Sequence, residues 1–122
     1  MTRQTTNWLR DAHQCGTRII RLIEGLDFDQ YHSTEFPRLG VERYLITLGE
    51  ALRVALRNDP GLKTELPEAR YAIDLRNFLT HAYMHIDDWV VWTTITTKLP
   101  TLLEDIDHLI ERRTGNDPTQ GK

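Results

Sequence analysis

Residues 37–57, PRLGVERYLITLGEALRVALR, decide the fold. Val41, Leu45, Leu48, Leu52 and Ala55 recur at three- and four-residue steps, which puts one apolar stripe along a helix. Pro37 suits a first helical position, where its missing N–H is not needed. Asn58-Asp59-Pro60-Gly61 then gives a stop and a turn. Gly49 interrupts the run; in a helix it costs about 1 kcal/mol relative to Ala, and close packing against a second helix would explain it.

The same period recurs on both sides. From Asn7 to Glu24 the stripe is Leu9, Ala12, Gly16, Ile19 and Ile23, with Asn7 as cap and Gly25 ending the helix in a left-handed conformation. Residues 26–36, LDFDQYHSTEF, lack a period and read as a connection that Phe28 and Tyr31 pin to the core. Pro67 opens a third helix through Tyr71, Leu75, Phe78 and Ala82. A fourth starts near Asp87, a plausible cap, and runs to about Arg113, with Pro100 predicting a kink or a break inside it. No stretch alternates long enough to argue a strand. The pattern predicts an all-α antiparallel bundle of four main helices, five if Pro100 breaks the last. Residues 1–113 form one domain, and 114–122, TGNDPTQGK, a polar tail expected to be disordered.

Composition narrows the function. The 122 residues are 39% hydrophobic and 27% charged, as in a soluble globular domain. Nothing approaches the roughly 20 apolar residues that span a bilayer, and MTRQTTNWLRD has no apolar signal core, so the expected address is the cytoplasm. One cysteine, Cys15, excludes an internal disulfide and a multi-cysteine zinc site; it lies close to the first stripe and reads as a small buried residue. The net charge of −3 is not that of a general nucleic-acid binder, so any nucleic acid must be met at a local site. Twelve Arg against three Lys favour planar hydrogen-bonding contacts. No Gly-rich phosphate loop is present.

The densest polar cluster is Arg76-Asn77-Phe78-Leu79-Thr80-His81-Ala82-Tyr83, followed by His85, Asp87 and Asp88. Such groups are costly to bury unpaired, so the cluster is exposed, paired or functional. On a helix, Arg76 and Tyr83 share a stripe, whereas His81 is turned by roughly 140° from Arg76. Either the helix ends near His81, or two copies of the segment build a composite site. His81 can exchange a proton near neutral pH, Arg76 can grip a phosphate bidentately, Tyr83 can stack or accept a transferred group, and Asn77 can orient its neighbours. A phosphodiester is the substrate that best uses one cation and one acid–base group without a metal. The plainer alternative is a surface helix whose Arg76 pairs with Asp74 or Asp88. A third reading makes His81, His85 and Asp88 metal ligands, although zinc sites usually need more. Glu50 either faces the Arg76 cluster across the bundle or is solvated. Trp89 and Trp92 read as core or interface anchors.

Arg76-x4-His81-x-Tyr83 resembles the signature of the HepT family of minimal HEPN-domain toxins. Its surroundings also match: Arg76-Asn77, Leu79, then Ile86-Asp87 and Val91-Trp92, with Leu48-Gly49-Glu50-Ala51, Leu22-Ile23-Glu24-Gly25-Leu26, Phe28 and Leu99-Pro100 in order. The resemblance covers about residues 8–112. Two positions differ from the family pattern, Tyr71 where a tryptophan is often found and Ala82 where glycine is frequent.

The resemblance implies an all-α HEPN-like bundle that dimerises so that two Arg–His motifs face one cleft. It implies a metal-independent endoribonuclease, without a cofactor, acting as the toxin of a type VII-like toxin–antitoxin system. Arg76 would hold the scissile phosphate, His81 would act as general acid or base around attack by the ribose 2′-hydroxyl, and Asn77 would support them. A 2′,3′-cyclic phosphate would result. Tyr83 would be the regulatory site, AMPylated by a partner nucleotidyltransferase antitoxin of the MntA type. The RNA substrate is expected to be restricted, for example tRNA, because an acidic surface limits nonspecific affinity. The competing reading is a non-catalytic helical module that binds a nucleotidyltransferase or a nucleotide.

Overall fold

The computed structural model describes residues 1–81 and 86–115, with side chains to Arg113. Helix α1 (Arg3–Ile23) is followed by α2 (Phe28–Ser33), α3 (Glu35–Asn58), α4 (Leu62–Glu65) and α5 (Ala69–His81). Then come α6 (Asp88–Thr93), a π-helical turn (Thr94–Lys98), α7 (Leu99–Ile110) and a second π-helical turn (Glu111–Gly115). No strand occurs among the described residues. Helix α3 is central, with α1 on one side and α5 on the other; α7 packs on α1, and α6 on α2.

The central stripe is as the periodicity predicts: Val41, Leu45, Leu48, Leu52 and Ala55 are buried. Opposite them lie Leu9, Ala12 and Ile19 of α1 and Leu102, Ile106 and Leu109 of α7. Each fully buried leucine or isoleucine contributes about 1.5–3 kcal/mol relative to exposure.

Several boundaries differ from the sequence reading, each for a local reason. Helix α1 begins at Arg3 because Thr2, not Asn7, is its cap: the Thr2 hydroxyl accepts from the Thr5 N–H at 3.1 Å, and Thr5 and Thr6 are buried. Gly25 does take a positive φ of 78°, in a turn closed by the Leu26 N–H donating to the Ile23 carbonyl. Part of the connection at 26–36 is helical, because Asp27 and Gln30 cap each other's backbone N–H groups at 2.8 and 2.9 Å. Tyr31 is fully buried and Phe28 packs against the core, so both do pin this segment. Pro37 occupies the third position of α3 rather than the first.

The largest correction concerns α5. Its buried residues are Ala69, Ala72, Leu75 and Leu79, whereas Tyr71 and Phe78 are exposed. Small residues face α3, so the two helices pack closely and the aromatics are left outside. Ala82 lies outside the described residues.

Asp87 caps the last helical run, accepting from the Trp89 and Val90 N–H groups. The break expected at Pro100 falls just before it, as a π-helical turn between α6 and α7. The π-helical turn before it shifts the ladder by one residue, the Leu99 N–H donating to the Thr94 carbonyl. Pro100 then stands in the first turn of α7, where no N–H is needed. Trp92 packs against Tyr31, with ring centroids 5.3 Å apart, while Trp89 is largely exposed and meets Phe28 edge-on. Residues 116–122 of the expected tail lie outside the described residues. No described helix is long and apolar enough to cross a membrane.

Candidate active site

Gly49 of α3 faces Arg76 of α5. A Cβ at position 49 would overlap Arg76 Cβ and lie 3.0 Å from the Ala72 carbonyl oxygen. The bare glycine therefore lets α5 approach α3 at Arg76. The next residue, Glu50, uses this approach: its Oε2 is 3.1 Å from Arg76 Nη2. Arg76 Nη1 donates to Asn77 Oδ1 at 2.9 Å. Each terminal nitrogen of Arg76 carries two N–H groups, so one on each remains for an incoming anion.

Glu50 also accepts two bonds from Arg53, one turn along α3: 3.1 Å from Nε and 2.7 Å from Nη2. These bonds hold its carboxyl below the usual carboxylate range; partial burial opposes them, and the charges of Arg53 and Arg76 add to them. Glu50 thus stays ionised near neutral pH and fixes the guanidinium of Arg76 in place.

The alternatives for Arg76 resolve in favour of Glu50. Asp74 lies 3.8 Å from Arg70, and Asp88 bonds His32 Nδ1 at 2.7 Å. That contact also engages the aspartate of the metal-ligand reading, whose His85 lies outside the described residues. No group of three ligands for a metal occurs among the described residues.

His81 is exposed at the end of α5, five residues from Arg76, and no hydrogen bond joins them. Arg76 faces α3 while His81 points away by roughly 140°. The structure therefore brings Arg76, Asn77 and Glu50 together within one chain, and leaves His81 apart. Tyr83 lies outside the described residues.

A surface groove of about 450 Å³ opens beside Arg76, lined by Trp8, Asp11, Gln14 and Cys15 of α1 and by Arg43 and Glu50 of α3. Cys15 is half-buried there, and burial pushes its thiol up, which makes it a poor nucleophile. Sequence reasoning passed over Arg53 and the α1 wall of the groove. The Glu50–Arg53 spacing was a readable i,i+3 ion pair; the α1 wall depends on helix pairing and had no local signal.

A helical bundle that presents this arginine–asparagine–glutamate cluster, with an exposed histidine five residues further along the same helix, has the fold and motif of a minimal HEPN-type protein. The HepT-like ribonuclease family matches residues 12–109, and the chain belongs to that family. A relative from Methanocaldococcus jannaschii, described as a candidate RNase, is 25% identical over 105 residues, covering 86% of this chain and 95% of the relative. No solved structure gives a significant match.

Proposed function

We propose that the protein is a metal-independent endoribonuclease and the toxin of a toxin–antitoxin pair, with Arg76 and His81 as its catalytic residues. The observation that carries this reading is the Arg76 guanidinium, fixed by Glu50 at 3.1 Å and Asn77 at 2.9 Å with N–H groups still open. A fixed bidentate donor at the rim of a groove suits a phosphodiester whose charge grows in the transition state. His81 takes the proton of the attacking 2′-hydroxyl or supplies one to the leaving 5′-oxygen, leaving a 2′,3′-cyclic phosphate and a free 5′-hydroxyl.

A single chain separates these two side chains. The working site is therefore composite: the chain dimerises, and Arg76 of one copy meets His81 of the other across one cleft. Tyr83 is the point of control. An MntA-type nucleotidyltransferase transfers AMP from ATP to its hydroxyl and releases pyrophosphate, placing a phosphate next to Arg76 and blocking the cleft. The family's RNase description and the chain's own motif support this reading together. tRNA is the proposed substrate class.

The test is RNA cleavage in EDTA by unmodified protein, compared with Arg76→Ala and His81→Ala. Cleavage by the wild type alone supports the assignment. Cleavage by either variant at the wild-type rate refutes that residue's role. Absence of cleavage by a wild type whose intact mass shows no AMP favours the non-catalytic module.

A further inference from the structure

The chain's charge is unevenly placed. Helix α1 carries Arg3, Arg10, Arg18 and Arg21 against Asp11 alone, a net of +3, so the remainder of the chain sums to −6. All four arginines are exposed. Their spacing of seven, eight and three residues keeps them within one face of the helix, interleaved with the exposed Asn7 and Gln14. The row spans about 27 Å at 1.5 Å per residue.

Folding makes little use of these charges. Elsewhere several acidic residues draw basic partners: Glu50 with Arg53 and Arg76, Glu68 with Lys98, and Glu65 with Arg112 and Arg113. Among the described residues, none of the four α1 arginines forms an ion pair, and Arg18 alone has a ring partner, Tyr44 at 5.8 Å. Helix stability accounts for Arg21, which stands in the last turn of α1, but not for Arg3: the first turn holds this cation and no acidic residue, against the preference of a helix N-terminus.

The row is also continuous with the site. Arg10, Arg18 and Arg21 line a groove of about 590 Å³, whose two carboxylates are Asp11 and Asp107, the latter bonded to His13 at 3.0 Å. This groove and the one beside Arg76 share Asp11 and Gln14. Arg43 stands on the far wall of the second groove.

We infer that the outer face of α1 is an RNA-docking surface, along which the sugar–phosphate backbone of a single-stranded segment runs towards Arg76. The inference rests on the ribonuclease reading. It supplies the local cationic site that a chain of net charge −3 needs to hold a polyanion. Arginine forks separated by neutral amide side chains bind phosphates without reading sequence, so this face supplies affinity and direction, not base specificity.

The test is binding of a single-stranded RNA oligonucleotide to the full chain in a His81→Ala background, titrated between about 50 and 200 mM salt. The triple variant Arg10→Gln/Arg18→Gln/Arg21→Gln is compared with Arg57→Gln/Lys63→Gln/Arg70→Gln, which removes the same charge outside α1, Lys63 and Arg70 lining a separate groove. Losing three phosphate contacts should lower the slope of log affinity against log salt by about 2, while the control lowers it by less than half as much. Equal slopes for triple variant and parent overturn the proposal, as does an equal effect of the control or a parent that binds no RNA. Loss of nucleotidyltransferase binding with RNA binding intact would instead make the face a protein-docking surface. The ribonuclease reading fails separately: RNA binding would depend on α1, yet wild-type protein free of AMP would cleave no RNA.

Discussion

Gly49 and Arg76 share one contact point between α3 and α5, and a side chain at 49 is incompatible with the present position of Arg76. Glu50 reaches Arg76 only because this approach is so close. Gly49→Ala should therefore lower both stability and cleavage, although alanine is the better helix former by about 1 kcal/mol. Overpacking costs about 1–3 kcal/mol, and the Ala72 carbonyl at 3.0 Å is backbone that cannot swing aside. Urea unfolding with single-turnover cleavage checks this. A more stable, fully active variant would show that the glycine is incidental.

Glu50 links stability to pH with a definite sign. Its folded-state pKa is lowered, chiefly by the Arg53 hydrogen bonds. The stability it contributes is fully present above the ordinary glutamate value of about 4.3, and is lost as pH falls through the lowered folded-state value. Glu50→Gln should melt below the wild type near neutral pH, and the gap should close as pH falls below about 4.3. Parallel melting curves across that range would contradict the linkage. Cleavage should fall as well, because Arg76 loses the carboxylate that orients it.

Much of this was legible in the chain. Period alone yields the stripe of α3 and most of α1, since a buried face of leucines leaves its mark at three- and four-residue steps. The Arg76–Asn77 pair is local and could be read directly. The face of α5 could not: Tyr71 and Phe78, its two aromatic residues, lie outside, while Ala69 and Ala72 lie inside because α3 comes so near. The partner of Arg76 was undetermined for the same reason, since Asp74, Asp88 and Glu50 were all plausible until helix packing selected one. The short α2 leaves no periodic stripe in residues 26–36, and its one local mark is the capping box of Asp27 and Gln30.

Tyr31 offers a check on the core. Its ring is fully buried against Trp92, and its hydroxyl has no hydrogen-bond partner among the described residues. Burial, together with Glu42 and Asp88 nearby, pushes its pKa upward, so it stays neutral. Removing an unsatisfied buried hydroxyl while keeping the ring should leave stability unchanged or raise it by up to about 1 kcal/mol. Tyr31→Phe measured by urea unfolding is the experiment, and a loss of more than about 1 kcal/mol would reveal a hydrogen bond that the hydroxyl makes after all.

Tyr83 carries the regulatory part of the account. Incubation with a nucleotidyltransferase antitoxin and ATP should add AMP to the wild type, visible by intact mass, and abolish cleavage. Tyr83→Phe should take up none and keep its activity in the antitoxin's presence. Modification of the Tyr83→Phe protein would move the acceptor elsewhere.

The central claim is that Arg76 of one copy works with His81 of another, because α5 turns the two side chains apart by roughly 140° within one chain. Mixing subunits tests it most directly. Arg76→Ala and His81→Ala proteins, each inactive alone, are co-refolded, and the mixed dimer is isolated by differential tags. A mixed dimer has one intact pair, Arg76 from one chain and His81 from the other, and should recover up to about half of wild-type cleavage in EDTA. A stable mixed dimer with no activity, or a fully active wild-type monomer, would contradict the composite site.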